Sequence, residues 1–242
     1  MDGGNDSFIS RGDTINGFIA RPQGEGPYPA VIVIHDVWGL SDHYRAIASR
    51  LAAEGFVAWA PDLYSREGAP GDFADVEAIM DWMACLPDTR VLADVQAVAG
   101  HLAGNADVRS EAIGLTGFCM GGQYTLMAAC AVEGLAAAVT WYGMLAGAPP
   151  SETSPESPLE MAGRLSVPWL GLFGEQDPFI PTAEVEQLRT ILESGGKDFE
   201  IVTYGDAGHA FFNDTRPEMY RPKAAAEAWQ RMAVFFRQHL GD

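Results

Sequence analysis

An uncharged run over residues 112–132 constrains the fold of this chain more than any other feature of its sequence. A membrane-spanning helix is one interpretation, but such a helix would be more uniformly apolar. Glycines divide the run into a short extended part, a glycine-rich break and a helical part. A strand and a helix that both lack charge are typical of the centre of a sheet covered on both faces. We therefore predict a buried strand at 112–116 and a helix at 121–132.

Strand and helix patterns alternate along the rest of the chain. Apolar runs predict further strands at 8–9, 15–20, 30–34, 57–60, 136–141, 169–173 and 199–204. Apolar residues at helical spacing predict helices at 43–54, 75–83, 91–102, 183–193 and 223–239. The alternation predicts an α/β fold with a mostly parallel sheet of about eight strands and helices on both faces. Composition does not change along the chain, so we expect one domain over residues 1–242.

Charge and cysteine content exclude several classes of partner. The chain has 15 Lys and Arg against 33 Asp and Glu, a net charge of −18, whereas nucleic acids and anionic membranes bind clustered basic side chains. Its three cysteines are an odd number, and no signal-peptide pattern is visible. We expect a cytoplasmic monomer that acts on a small molecule without nucleic-acid or membrane partners. The sequence carries no metal-site, phosphate-loop or dinucleotide signature, so we expect no metal and no cofactor.

Residues 117–121 read Gly-Phe-Cys-Met-Gly between a predicted strand and a predicted helix. This G-x-C-x-G pattern is that of a nucleophile elbow, in which the reactive side chain lies on a sharp turn and small residues must flank it. The N-terminus of the following helix favours a thiolate at Cys119. A buried cysteine beside a glycine turn is the alternative. Cys85 and Cys130 fall within helical patterns, and we interpret both as buried structural thiols.

A cysteine nucleophile needs a base, and the base needs an orienting group. Two histidines follow Cys119: His239 lies in the last turn of a predicted helix, whereas His209 follows the strand at 199–204. The carboxyl end of a strand is where α/β sheets place their chemistry, which favours His209. For the orienting acid we favour Asp177, which follows the strand at 169–173; Glu175 and Asp206 are the alternatives.

With these residues in order, the chain resembles the dienelactone hydrolase family of the α/β-hydrolase superfamily. The matching segments are HDVWGL at 35–40, APDLY at 60–64, GFCMGG at 117–122, WYG at 141–143, GEQDPFIP at 174–181 and AGHAF at 207–211. The resemblance covers essentially the whole chain. It implies an α/β-hydrolase fold in which Cys119 is the nucleophile, His209 the base and Asp177 the orienting acid. It also implies an oxyanion hole formed by the backbone N–H groups of Met120 and Val37.

The chain departs from the family pattern at two positions. The family places a Glu beside the thiol, where this chain has the shorter Asp36, which we expect to modulate Cys119. Family members that accept dienelactone also hold the substrate carboxylate with arginines, and at one of those positions this chain has Asn213. The resemblance therefore implies that an anionic dienelactone is not the preferred substrate.

Aromatic residues adjoin several of the motifs. We predict that they form the substrate pocket, with membership of the core as the alternative for each: Trp38, Tyr64, Phe118, Trp141, Tyr142, Phe211 and Phe212. Aromatic walls favour flat, uncharged substrates. The Pro/Ser-rich segment 146–158 breaks the strand–helix rhythm, and a lid over the site is one role for it.

These patterns lead to one favoured function and two alternatives. The favoured function is hydrolysis of lactones or activated carboxylic esters by a Cys–His–Asp triad through a thioester. The first alternative is attack of the same thiolate on activated neutral phosphotriesters. The second is a non-catalytic binding module on a hydrolase fold, which the complete set of catalytic residues disfavours.

Overall fold

Eight strands of the described residues form one sheet in the order β1-β2-β4-β3-β5-β6-β7-β8. A computed structural model describes residues 2–68, 70, 71, 76–84, 86–146 and 151–241. The strands are β1 (Asp2–Ser10), β2 (Asp13–Arg21), β3 (Tyr28–Ile34), β4 (Val57–Pro61), β5 (Val108–Phe118), β6 (Ala137–Trp141), β7 (Trp169–Gly174) and β8 (Phe199–Tyr204). The helices are α1 (Asp42–Ala53), α2 (Val76–Ala84), α3 (Asp88–Ala103), α4 (Met120–Ala131), α5 (Pro158–Met161), α6 (Thr182–Ser194) and α7 (Pro222–Leu240).

The sheet is parallel from β4 to β8, and β1 and β2 are added antiparallel at one edge. The predicted mostly parallel α/β-hydrolase fold is therefore confirmed. The central strands β3 and β6 are almost entirely buried, because helices cover both faces of the sheet. Within the described residues, no helix has the length and apolar character needed to cross a bilayer.

The hairpin of β1 and β2 is longer than its sequence predicts. Residues 2–7 read Asp-Gly-Gly-Asn-Asp-Ser, types that are rare in strands. They nevertheless pair with β2 along their whole length, because Arg11 and Gly12 both adopt positive φ in the tight turn between the strands. The Trp59 indole also donates to Asp6 and fixes the hairpin to the sheet.

Two predictions fall partly or wholly outside the described residues. Cys85 lies outside them, as do residues 147–150 of the predicted loop at 146–158. The end of that loop forms the short helix α5, which the sequence analysis did not predict. Ser157 and Glu160 form a capping box at its start, and a 3₁₀ turn over Ala162–Arg164 follows it.

The carboxyl ends of the parallel strands position the predicted functional residues. Asp36 follows β3, Cys119 follows β5, Asp177 follows β7 and His209 follows β8. Parallel strands end at the same edge of the sheet, so side chains from distant parts of the sequence meet there.

Candidate active site

Cys119 lies in a strained turn between β5 and α4. Its φ of 55° and ψ of −116° are in a region that side-chain-bearing residues rarely adopt. The flanking glycines make this turn possible. A Cβ on Gly117 would lie 2.2 Å from the carbonyl oxygen of Gly121, and a Cβ on Gly121 would lie 2.4 Å from that of Ile34. The G-x-C-x-G spacing thus reflects close backbone approach on both sides of the cysteine.

The imidazole of His209 is hydrogen-bonded to Asp177. The distance between His209 Nδ1 and Asp177 Oδ2 is 2.8 Å, and Asp177 Oδ1 accepts the backbone N–H of Phe179 at 2.9 Å. The alternative acids lie elsewhere: Glu175 accepts the Thr203 hydroxyl, and Asp206 is exposed. Among the three carboxylates considered, Asp177 is therefore the one that can orient the imidazole.

Backbone hydrogen bonds hold the loop of Asp177 against the loop of His209. The N–H of Glu175 donates to the carbonyl of Tyr204 at 3.0 Å, and that of Gln176 donates to Ala207 at 2.9 Å. These bonds fix the separation of the acid and the base through main-chain atoms.

The charges of Cys119 and Asp177 favour a protonated His209. Burial opposes the charged imidazolium, but the charge interaction with Cys119 and hydrogen bonds with Asp177 and Cys119 outweigh it and raise the pKa of His209 to about 10. Next to a thiolate, the imidazole thus holds its proton through neutral pH. An imidazolium in this position can deliver a proton to a leaving group on the carbon that the sulfur attacks.

Two backbone N–H groups near Cys119 have no hydrogen-bond acceptor in the described part of the chain. They belong to Val37, in the loop after β3, and to Met120, the first residue of α4. Both residues are at least 98% buried. A buried N–H without a partner is rare, and two of them beside Cys119 have the arrangement of an oxyanion hole.

The carboxylate of Asp36 borders the same cleft as Cys119. It is buried, and it accepts the backbone N–H of Trp38 at 2.9 Å and the Tyr44 hydroxyl. In the described residues it makes no hydrogen bond to Cys119. Its influence is electrostatic: burial and the Asp36 charge together hold the pKa values of Tyr44 and Tyr142 well above the usual tyrosine range.

The cleft above Cys119 has a volume of about 140 Å³ and is mostly apolar. Four of its lining side chains carry charge or titrate, namely Asp36, Cys119, His209 and Arg216. One face of α2 supplies apolar side chains: Val76, Ile79, Met80 and Met83. Outside α2, the apolar lining of the cleft is formed by Trp38, Met144, Phe179 and Met219. No sequence motif assigns α2 to the site, although its apolar side chains at helical spacing are typical of a helix that packs over an apolar surface.

Most of the predicted pocket aromatics are placed in the core, which corrects the prediction for all but Trp38. The buried residues are Tyr64, Phe118, Trp141, Tyr142, Phe211 and Phe212. Their rings pack on one another: Phe118 stacks on Trp141 with centroids 5.2 Å apart, and Trp141 lies 4.6 Å from Phe212. Side chains beside the ends of buried strands point between the sheet and its helices. These rings therefore pack in the core beneath the cleft and do not line it.

Arg216 gives the cleft a positive charge that the sequence analysis did not assign to it. Its guanidinium lies over the Trp38 ring, 4.8 Å from the centroid. Asn213 is instead turned into its own loop, where Oδ1 accepts the Thr215 N–H and hydroxyl. The turn after His209 therefore brings a cationic residue from later in the sequence to the cleft.

The described residues contain no cluster of three or more His, Cys, Asp or Glu side chains that could hold a metal ion.

The chain is similar to known proteins of one family. The sequence model of the dienelactone hydrolase family matches residues 15–240. A provisionally named carboxymethylenebutenolidase of Escherichia coli (strain K12) is 44% identical over 238 residues, which cover 97% of this chain and 86% of that protein. A Bradyrhizobium protein provisionally named 2-oxo-3-(5-oxofuran-2-ylidene)propanoate lactonase is 34% identical, over 96% of this chain and 92% of that protein.

The likeness extends to three dimensions. The crystal structure of a provisional dienelactone hydrolase from Klebsiella pneumoniae superposes with a TM-score of 0.92 at 38% identity, covering 98% of each chain.

Proposed function

The chain belongs to the dienelactone hydrolase family and is a hydrolase of lactones or esters, and we propose that it acts through a thioester on Cys119. The observation that carries this proposal is the pairing of His209 with two partners. Its Nδ1 binds Asp177 at 2.8 Å, and its charge is stabilised by Cys119. With Nδ1 held, Nε2 is the nitrogen left to exchange a proton with the sulfur and the substrate.

The proposed reaction has two acyl-transfer steps. The Cys119 thiolate attacks the carbonyl carbon, and the carbonyl electron pair moves to oxygen, where the N–H groups of Val37 and Met120 stabilise it. Collapse of this adduct breaks the bond to the leaving oxygen, which takes the proton of His209. Water then attacks the thioester while neutral His209 accepts its proton. The second collapse releases the carboxylic acid product and restores the thiolate–imidazolium pair.

A thiolate nucleophile favours substrates with good leaving groups. The sulfur is itself a good leaving group, so the first adduct reverts to substrate unless the oxygen departs easily. Lactones and activated esters whose leaving oxygen is stabilised satisfy this condition.

We further propose that the substrate carries a carboxylate, which Arg216 binds. Apart from His209, Arg216 is the one cationic side chain among the described residues that line the cleft, and guanidinium groups bind carboxylates in a bidentate manner. The names of the relatives above describe lactones that bear such a group. The apolar face of α2 would contact the rest of a molecule small enough for a cleft of about 140 Å³.

Mass spectrometry of the acid-quenched enzyme tests the thioester. During turnover of a p-nitrophenyl ester, we expect fragment ions that place an acyl group on Cys119 and none on Cys130. Turnover in which Cys119 never becomes acylated would exclude the proposed mechanism.

A matched pair of substrates tests the carboxylate. We expect Arg216→Gln to raise KM about 10-fold or more for a carboxylate-bearing lactone, as expected for the loss of a charge-assisted hydrogen bond. KM for the methyl ester of the same lactone should stay unchanged. Arg189→Gln, on the surface of α6 beside Glu186, is the control. Equal losses on both substrates would contradict a carboxylate contact.

The binding-module alternative does not hold, since the chain is a hydrolase of lactones or esters. The phosphotriester alternative stays a prediction, and turnover of an activated phosphotriester by the purified protein tests it.

A further inference from the structure

His35 is buried beneath the loop that follows β3, and both of its ring nitrogens meet backbone groups. The side chain is fully buried. Nδ1 lies 2.6 Å from the carbonyl oxygen of Asp36, and Nε2 lies 3.1 Å from the backbone nitrogen of Leu63. Because a backbone N–H can only donate, Nε2 must accept, and Nδ1 must carry the hydrogen that is donated to Asp36. Burial lowers the pKa of His35, which favours the same neutral form.

The carbonyl that His35 binds shares a peptide unit with the N–H of Val37. A trans peptide is planar, and its C=O and N–H point in opposite directions. Fixing the Asp36 carbonyl therefore fixes the direction of the Val37 N–H. A hydrogen bond to the carbonyl also polarises the peptide and strengthens its N–H as a donor.

A second side chain holds the peptide on the other side of Val37. The Tyr64 hydroxyl donates to the Val37 carbonyl at 3.0 Å. Leu63 and Tyr64 both follow β4, so the loop after β3 is tied to the loop after β4 at two points. Within the loop after β3, the Gly39 N–H also donates to the Asp36 carbonyl, at 3.2 Å.

We propose that His35 is a positioning residue which, with the Tyr64 hydroxyl, directs the Val37 N–H toward the oxyanion. This inference rests on the proposed function, in which Val37 is one of the two oxyanion donors. His35 does not touch the reacting atoms; it acts through the Asp36–Val37 peptide. Its hydrogen bonds should therefore matter for acyl transfer and not for reactions of Cys119 that form no oxyanion.

Two substitutions at His35 separate its hydrogen bonds from its volume. His35→Phe keeps a ring and removes both bonds, whereas His35→Gln supplies an amide with one donor and one acceptor. We expect His35→Phe to lower kcat for a p-nitrophenyl ester about 10- to 100-fold, below the full loss of an oxyanion donor, with KM within about threefold. His35→Gln should recover most of this loss.

Two reagents distinguish oxyanion stabilisation from general damage to the site. Alkylation of Cys119 by iodoacetamide displaces iodide and forms no oxyanion, so its rate should be unchanged in His35→Phe. A trifluoromethyl ketone becomes an oxyanion when the Cys119 sulfur adds to its carbonyl carbon. Its affinity should fall by the same factor as kcat.

His43→Phe is the matched control, because the side chain of this histidine is only 8% exposed, lies on the adjacent helix α1, and makes no bond to the loop in the described structure. If His35→Phe does not fold, Tyr64→Phe replaces it in the test, because it removes a single hydroxyl. For Tyr64→Phe we then expect a lower kcat with an unchanged alkylation rate.

The proposal is overturned by an unchanged kcat in the folded variant, by alkylation that slows in parallel with kcat, or by a kcat of His35→Gln no higher than that of His35→Phe. Failure of the proposed function would appear separately, as turnover by the wild-type enzyme without acylated Cys119.

Discussion

The two ends of helix α4 carry cysteines in opposite environments. Cys119 precedes the first turn, borders the cleft and lies beside His209. Cys130 lies in the last turn and is buried, and burial raises the pKa of its thiol to about 12. A helix N-terminus stabilises an anion and a C-terminus opposes one. The direction of a single helix therefore adds to the difference that burial and the histidine create.

This comparison shows that the backbone decides which cysteine is the candidate nucleophile. The left-handed turn at Cys119 turns the side chain out of the helix, where an imidazole can reach it. Cys130 has a regular helical backbone, and its side chain enters the core.

The largest expected effect comes from replacing each of the two cysteines by alanine. We expect Cys119→Ala to lower kcat about 10⁵- to 10⁶-fold, since it removes the proposed nucleophile of a cooperative triad. Cys130→Ala should keep wild-type kcat, with a lower stability because it leaves a small cavity. Hydrolysis of a p-nitrophenyl ester measures the first, and urea unfolding the second. Comparable activity in both variants would remove the distinction.

The orienting acid at the cleft end is expected to matter next. Asp177→Asn should lower kcat about 10⁴-fold, because an amide presents the wrong partner to His209 and changes its tautomer. Asp206→Asn, in the neighbouring exposed turn, should lie within twofold of wild type. The comparison uses kcat at pH 7.5 with thermal unfolding to check that both variants fold. A larger loss in Asp206→Asn would assign the acid role to that residue.

A smaller effect is expected from the charge of Asp36 near the first turn of α4. A neighbouring carboxylate disfavours a thiolate, so Asp36→Asn should increase the rate of Cys119 alkylation by iodoacetamide at pH 7 about three- to tenfold. Asp214→Asn, the exposed partner of His43, is the control. Equal alkylation rates for Asp36→Asn and wild type would mean that Asp36 does not modulate the thiol.

The smallest expected effect is on the pH dependence of the unfolding free energy, to which Cys130 at the buried end of α4 contributes. The folded-state pKa of Cys130 is raised from 9.0 to about 12, so its contribution to stability is full below pH 9 and is lost as pH rises toward 12. Between pH 7 and pH 10 the unfolding free energy should fall by about 1 kcal/mol more in wild type than in Cys130→Val. Urea unfolding at both values measures this. Parallel changes in the two proteins would show that Cys130 ionises equally well when folded.

The order of the elements and the meeting of Cys119, Asp177 and His209 could be predicted because their signals are local. Glycine spacing marks the turn at Cys119, and each of the other two residues directly follows an apolar strand. The parallel sheet then brings the strand ends together. The roles of these residues remain predictions, but their proximity follows from topology.

The wall of the cleft could not be predicted in the same way, because it depends on where side chains point. Phe118 and Trp141 adjoin functional motifs and yet face the core. Arg216 is seven positions after His209 in the sequence, and only the turns between them bring it over Trp38. Helix α2 comes from a region without a chemical motif, so its part in the cleft depends on tertiary packing alone.

The contact between Gly121 and the end of β3 has a consequence for recombining this enzyme with its relatives. A Cβ at this position would meet the carbonyl oxygens of Ile34 and His35 at 2.4 Å and 2.5 Å, so two main chains touch with no side chain between them to adapt. In a chimera, a crossover placed between β3 and α4 joins backbones from different parents at this contact. Any difference in their curvature passes directly to Val37 and Met120. Gene shuffling should therefore transfer residues 28–131 as one block and place its crossovers beyond α4.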